Sequence, residues 1–96
     1  MGGFNLACAA IEALTRSLAG EVGRQGVRVV GIRPNFTPET VPGMTDGDVP
    51  QLVKDTLIDR LPQLAEVGDT AEYVASAGAG AMTGAVVNLS CGAIID

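Results

Sequence analysis

Histidine is absent from all 96 residues. That removes imidazole bases, His-based nucleophile triads and His metal ligands together. Tryptophan is absent as well, and Phe4, Phe36 and Tyr73 are the only aromatics. Such a chain has no stacking surface for bases. Lysine and arginine number six against eleven acidic residues, for a net charge of −5, and they form no basic stripe. This argues against nucleic acid as a partner. No apolar run approaches the ~18 residues of a membrane span. The N-terminus shows neither the basic segment nor the apolar stretch of a secretory leader. Two cysteines, Cys8 and Cys91, make neither a disulfide framework nor a CxxC site. Free thiols and cytoplasmic residence are the expectation.

What is present is small and apolar. Hydrophobic residues make up 47% and glycine thirteen positions. A chain of this length is one domain that buries roughly 60–65% of its surface, so its core is modest. The spacing of Ile11, Leu14, Leu18 and Val22 predicts a helix from about Asn5 to Val22 with one buried face, Asn5 being a suitable N-cap. VRVVGI, residues 27–32, reads as a short strand covered on both faces, with Arg28 the exception. A loop rich in proline and glycine follows, from Arg33 to about Gly47; loops of this length are typically ligand-binding or mobile. Asp48 is placed to cap a second helix with Val53, Leu57 and Leu61 on one face and Pro62 at its end. A third helix is predicted from about Ala65 to Ala77, then a second strand over Ala85–Leu89. The order is helix, strand, loop with helix, helix, strand. It implies an α/β fold with a parallel crossover. Two parallel strands leave open edges, so the pattern reads as the end of a larger doubly wound sheet. A second copy of the chain, or another chain, is expected to cover the sheet edge.

Three motifs carry a family resemblance. ALTRSLAGEVGRQGVRVVGIRP, residues 13–34, resembles the segment that follows the active site of short-chain dehydrogenases/reductases. RLPQLAEV, residues 60–67, resembles the segment before their last helix, and MTGAVVNLSCGAIID, residues 82–96, their final strand. The resemblance covers essentially the whole chain and only the C-terminal part of the family's fold. It implies a single partial Rossmann-like domain over residues 1–96 that lacks the nucleotide-binding N-terminal half. It implies NAD or NADP as cofactor, and Pro34, Asn35 and Thr37 at the cofactor loop, with Thr40 nearby. The family's acid–base tyrosine and ribose-holding lysine sit four residues apart; here those positions hold Phe4 and Cys8. Phe4 has no ionisable proton, and Cys8 has no fixed positive charge. Pro-Gly becomes Pro34-Asn35, an expected Asn becomes Val30, and Asp-Gly-Gly becomes Ser90-Cys91-Gly92. The Gly-rich turn that receives a pyrophosphate follows a strand. Gly2-Gly3 and Gly78 with Gly80 stand in the wrong order for it and read as helix-end turns.

Three functions follow as expectations. The first is a C-terminal portion of an NAD(P)-dependent short-chain oxidoreductase, not catalytic by itself. The second is a noncatalytic oligomerisation or interaction module. The third is a thiol enzyme using Cys8, near a helix N-terminus where a thiolate is favoured. On the plainer reading, Phe4 and Cys8 are core residues, Cys91 is structural although it follows a strand, Tyr73 packs with its hydroxyl outward, and Lys54 is a solvated surface charge. Metal binding is not expected. Alkylation of Cys8 should show slow, ordinary thiol kinetics; a rate that stays high below pH 7 would favour the thiol enzyme.

Overall fold

The computed structural model describes residues 2–96. Its elements in chain order are α1 (Gly2–Val22), a 3-10 turn (Gly23–Gln25), β1 (Gly31–Pro34), a second 3-10 turn (Pro38–Thr40), α2 (Val49–Val53), α3 (Leu64–Ala75), a third 3-10 turn (Ala77–Ala79) and β2 (Val86–Leu89). The strands form a two-stranded sheet in the order β1-β2. Their hydrogen bonds run from Gly31 N–H to Ala85 O (2.9 Å) and from Asn35 N–H to Leu89 O (3.3 Å). Partner numbers rise together, so the strands are parallel, as the element order predicts. The chain divides into two compact units, residues 2–31 with 74–87 and residues 32–73 with 88–96.

In the first unit α1 turns a narrow stripe inward. Thr15 and Ala19 are buried, and Glu12 and Val22 are half-buried on the same line. The Thr15 hydroxyl donates to Ile11 O at 2.9 Å, which satisfies it within the helix. Gly31 lets the strand approach closely, since a Cβ there would lie 3.4 Å from both Thr15 Oγ1 and a Val86 methyl. The buried face expected at Ile11, Leu14 and Leu18 is not buried. Ile11 is 62% and Leu14 61% exposed. Side-chain size misled the periodicity: the narrow gap beneath the helix admits Thr and Ala, and the larger side chains lie beside it. Asn5 is no cap either, because α1 already begins at Gly2.

The first strand also starts later than VRVVGI suggests. Val29 N–H donates to the Thr83 hydroxyl, at 3.1 Å, rather than to a backbone carbonyl. The regular ladder begins only at Gly31. Arg28, the odd charge in that segment, has a defined task. Its guanidinium donates to Val74 O (2.8 Å), Met82 O (3.2 Å) and Ser76 O (3.5 Å). Val74 lies in the last turn of α3, where carbonyls lack helical partners and a cation is favoured.

In the second unit α2 is far shorter than the helix expected to reach Leu61. Thr56 N–H closes a turn on Val53 O. Leu57 and Ile58 N–H then both donate to Cys91 O, at 2.9 and 3.3 Å, so they cannot continue the helical ladder. Asp59 follows with φ +61°. Asp48 does not cap α2: its carboxylate accepts from Thr45 N–H and Oγ1 instead. Leu61 is buried with Pro62 beside it, while Leu57 is exposed.

Arg28→Met keeps the apolar stem and deletes the guanidinium. We expect it to cost about 2 kcal/mol, as carbonyls lose a charged donor, measured as a lower urea midpoint. An unchanged midpoint would mean that water serves those carbonyls equally well.

Candidate functional site at the carboxyl ends of the strands

Open α/β sheets place ligands beyond the carboxyl ends of their strands. In the second unit, β1 ends at Pro34 and β2 at Leu89. Asn35 joins the two strand ends there. Its Nδ2 donates to Ser90 O at 3.2 Å, and its Oδ1 accepts from Phe36 N–H at 2.7 Å. Thr37 is buried; its hydroxyl donates to Asn35 O at 3.2 Å, and its own carbonyl accepts from the Thr40 hydroxyl at 2.8 Å. Pro34 is exposed and Asn35 half-buried. Pro34, Asn35 and Thr37 thus stand together at one strand end. Asn35 keeps a negative φ, so it does not adopt the left-handed form its type tolerates.

The strand β2 runs into a tightly tied segment. Asn88 Nδ2 donates to Ile94 O (2.7 Å) and to Asp96 Oδ1 (2.8 Å), while Asn88 Oδ1 accepts from Ser90 N–H (3.0 Å). Ser90 is buried, and its Oγ both accepts from Ile94 N–H and donates to Ile94 O. Arg33 pairs with Asp96. Cys91 has φ +57°, a conformation that costs a non-glycine residue on the order of 1 kcal/mol. Two amides on its carbonyl hold it there. Gly92 next to it admits no side chain, because a Cβ would lie 2.5 Å from Leu57 Cβ.

A cleft of about 350 Å³ opens beside this segment, lined by Arg60, Glu66, Asn88, Cys91 and Asp96 among others. Its charges are mutually engaged. Arg60 grips Glu66 through two parallel bonds of 2.6 and 2.7 Å. Glu66 Oε1 also accepts from Gln63 N–H at 2.9 Å, the reciprocal half of a capping box at the start of α3. Glu39, from the 3-10 turn after β1, accepts from Leu64 N–H at 3.0 Å. Sequence reading missed the Arg60–Glu66 pair, which six residues separate and no helical spacing flags. The signal present was glutamate three residues after the first free amide of α3.

Phe4 and Cys8 lie one turn apart on α1, in the first unit. The plainer expectation buried them as core; both are exposed, Phe4 at 60%. Cys8 stands in the second turn of α1, which starts at Gly2, beyond the first-turn reach of the helix dipole. Tyr73 is exposed, and Lys54 is exposed with its Nζ on Gln51 Oε1 at 3.3 Å. Among the described residues, no group of three or more Cys, Asp or Glu could hold a metal ion, and no helix is long and apolar enough to cross a membrane.

The guanidinium of Arg60, then the Gln63 amide, hold the Glu66 carboxyl down from its ordinary 4.5 to about 2. Arg60 is raised in turn by its hydrogen bonds to Glu66. A carboxyl depressed in the folded state stabilises fully above its unfolded value and loses that contribution as pH falls toward 2. A carbon-detected NMR titration should therefore find Glu66 still ionised at pH 3. Arg60→Met should return its midpoint toward 4.5. A Glu66 midpoint near 4.5 in the unaltered chain would contradict the pair.

Comparison with known proteins agrees with this geometry. The family model described as Enoyl-(Acyl carrier protein) reductase matches residues 2–93. Galactitol 2-dehydrogenase of Rhizobium johnstonii is 36% identical over 92 residues, which cover 93% of this chain and 36% of that protein. Sorbitol-6-phosphate 2-dehydrogenase of Klebsiella pneumoniae is 32% identical over 102 residues, covering 88% and 37%. Nodulation protein G of Azospirillum brasilense is 30% identical over 90 residues, covering 93% and 37%. The chain thus spans little more than a third of the length of the curated relatives it matches. A solved structure titled 4-hydroxyisoleucine dehydrogenase complexed with NADH superposes with a TM-score of 0.80 at 23% identity, over 88% of this chain and 36% of that one. That likeness speaks to the fold, a Rossmann-like α/β arrangement with a parallel sheet. With the matched residues spanning α1 to the end of β2, the chain belongs to the short-chain dehydrogenase/reductase family.

Proposed function

We propose that this chain supplies the C-terminal part of a short-chain oxidoreductase fold and does not transfer hydride by itself. The observation that carries the reading is the pair Phe4 and Cys8 at the tyrosine and lysine positions of the family. Members of the family use NAD(P). Hydride transfer between a nicotinamide dinucleotide and a carbonyl asks for a proton donor at the carbonyl oxygen, a cation at the ribose and free amides at the cofactor loop. Phe4 supplies no proton and Cys8 no fixed charge. Pro34 has no N–H, both ends of the Asn35 amide are engaged, and the Thr37 hydroxyl is spent on Asn35 O. The residues do not fit the cofactor as they stand.

A second reading, as an interaction module, is favoured by the surface of α1. Phe4, Ile11, Leu14 and Leu18 fall within one stripe of the helix and are all exposed. Exposed apolar stripes of this kind mark protein contacts. We propose that a second copy or a reductase-like partner chain covers it, and that the chain resides in the cytoplasm, where its two free thiols stay reduced.

Incubation with NADPH and a panel of ketones should give no oxidation above a no-protein control. Steady oxidation well above control would overturn the scaffold reading. Light scattering at micromolar concentration should report a dimer or larger; a folded monomer would remove the interaction reading.

A further inference from the structure

The end of the proline-rich loop holds a reactive pair that neither functional reading uses. Thr45, Asp46, Gly47 and Asp48 form a turn closed by Asp48 N–H on Thr45 O at 3.0 Å. The Asp48 carboxylate braces it, accepting from Thr45 N–H at 2.9 Å and from the Thr45 hydroxyl at 3.2 Å. The two central residues take no part in these ties. Asp46 and Gly47 are both exposed. Among the described residues, neither the Asp46 carboxylate nor the Gly47 N–H has a hydrogen-bond partner. An aspartyl carboxyl carbon can close a ring onto the amide nitrogen of the next residue. A following side chain hinders this by crowding the nitrogen and restricting the backbone, and glycine does neither. Asp46-Gly47 is the one place in the sequence where Asp or Asn precedes glycine. The turn does not itself demand glycine there: Gly47 has no positive φ, and a Cβ would meet only Thr45 Oγ1, at 3.5 Å.

We propose that Asp46 is a site of isoaspartate formation. The Gly47 nitrogen bonds to Asp46 Cγ, and the amide hydrogen leaves with the carboxyl hydroxyl as water. The resulting succinimide takes water back at either of its carbonyls. Opening at the side-chain carbonyl restores aspartate. Opening at the main-chain carbonyl routes the backbone through Cβ and Cγ and leaves the former main-chain carboxyl pendant. Nothing is oxidised or reduced, and water is the only co-reactant. The product lengthens the backbone by a methylene inside the turn, so Asp48 N–H and Thr45 O lose their register. Its pendant carboxylate is the chemistry that an isoaspartyl carboxyl methyltransferase takes as substrate.

The test is prolonged incubation of the full, folded chain in warm neutral buffer. Peptide mass spectrometry with electron-transfer fragmentation then separates isoaspartate from aspartate at equal mass. Isoaspartate should accumulate at Asp46 and not at Asp48, Asp55, Asp59 or Asp69, whose next residues all carry side chains. An isoaspartyl methyltransferase should label the same peptide, and the aged chain should show second amide signals for Thr45 and Asp48. Gly47→Ala should slow accumulation by about ten-fold or more, a barrier higher by about 1.4 kcal/mol. An unchanged Thr45 amide shift in that variant shows that its turn is intact. Asp46→Asn closes the same ring with loss of ammonia and should reach isoaspartate faster than the unaltered chain. A folded chain without isoaspartate at Asp46 would overturn the proposal, and the urea-unfolded chain would then tell whether the turn or the sequence forbids it. Equal accumulation at the other aspartates, or an equal rate in an intact Gly47→Ala turn, would overturn it as well.

Discussion

Parallel pairing between β1 and β2 is the constraint on which the other contacts depend. The two strands are far apart in sequence, and no tight turn can join parallel neighbours. Each needs its partner held in register by something other than the connection. In the first unit that role falls to the α1 stripe, packed where Gly31 leaves room, and to Arg28, which gathers carbonyls from residues 74, 76 and 82. In the second it falls to Asn35 and to the ties around Ser90. Buried apolar residues are few: Ala19 and Ala79 in one unit, and Leu61 with Pro62 in the other. Polar contacts therefore carry an unusual share of the register.

This balance decides how the site can behave. The polar groups at the strand ends are occupied by one another rather than held ready. Arg60 and Glu66 neutralise each other at the cleft, and Arg33 and Asp96 do the same. Perturbed groups at catalytic sites are tuned by burial and by specific charge partners within reach of the reacting atoms. Here the perturbed carboxyl of Glu66 answers to its bonds from Arg60 first and from the Gln63 amide at the start of α3 second. The chain keeps the form of a dehydrogenase segment while its polar groups maintain that form.

The parts legible in the sequence were those set by backbone chemistry. Strand identity, the parallel relation and the existence of α1 and α3 follow from β-branched runs, helical spacing and flanking glycines. The parts that were not legible depend on distant partners. The end of α2 is set by the Cys91 carbonyl capturing the amides of residues 57 and 58, which no local pattern announces. The buried face of α1 was misread because Thr15 and Ala19 carry little hydrophobic signal, while Ile11 and Leu14 carry much and lie outside it. At the site, the residue types at 4 and 8 could be read from the sequence, while their placement at the family's tyrosine and lysine positions rests on resemblance. The engagement of both ends of the Asn35 amide could not, since it needs the Ser90 carbonyl.

The cap on α3 ties local order to long-range order. The Leu64 amide is received by Glu39, twenty-five residues earlier in the chain. Orphan amides at a helix start otherwise turn to water or to a neighbouring side chain. The first turn of α3 and the 3-10 turn at Pro38–Thr40 therefore share one hydrogen bond, which the opening of either would break. In the language of local unfolding, this bond couples the proline-rich loop to the start of the helix, although more than twenty residues of chain lie between Glu39 and Leu64.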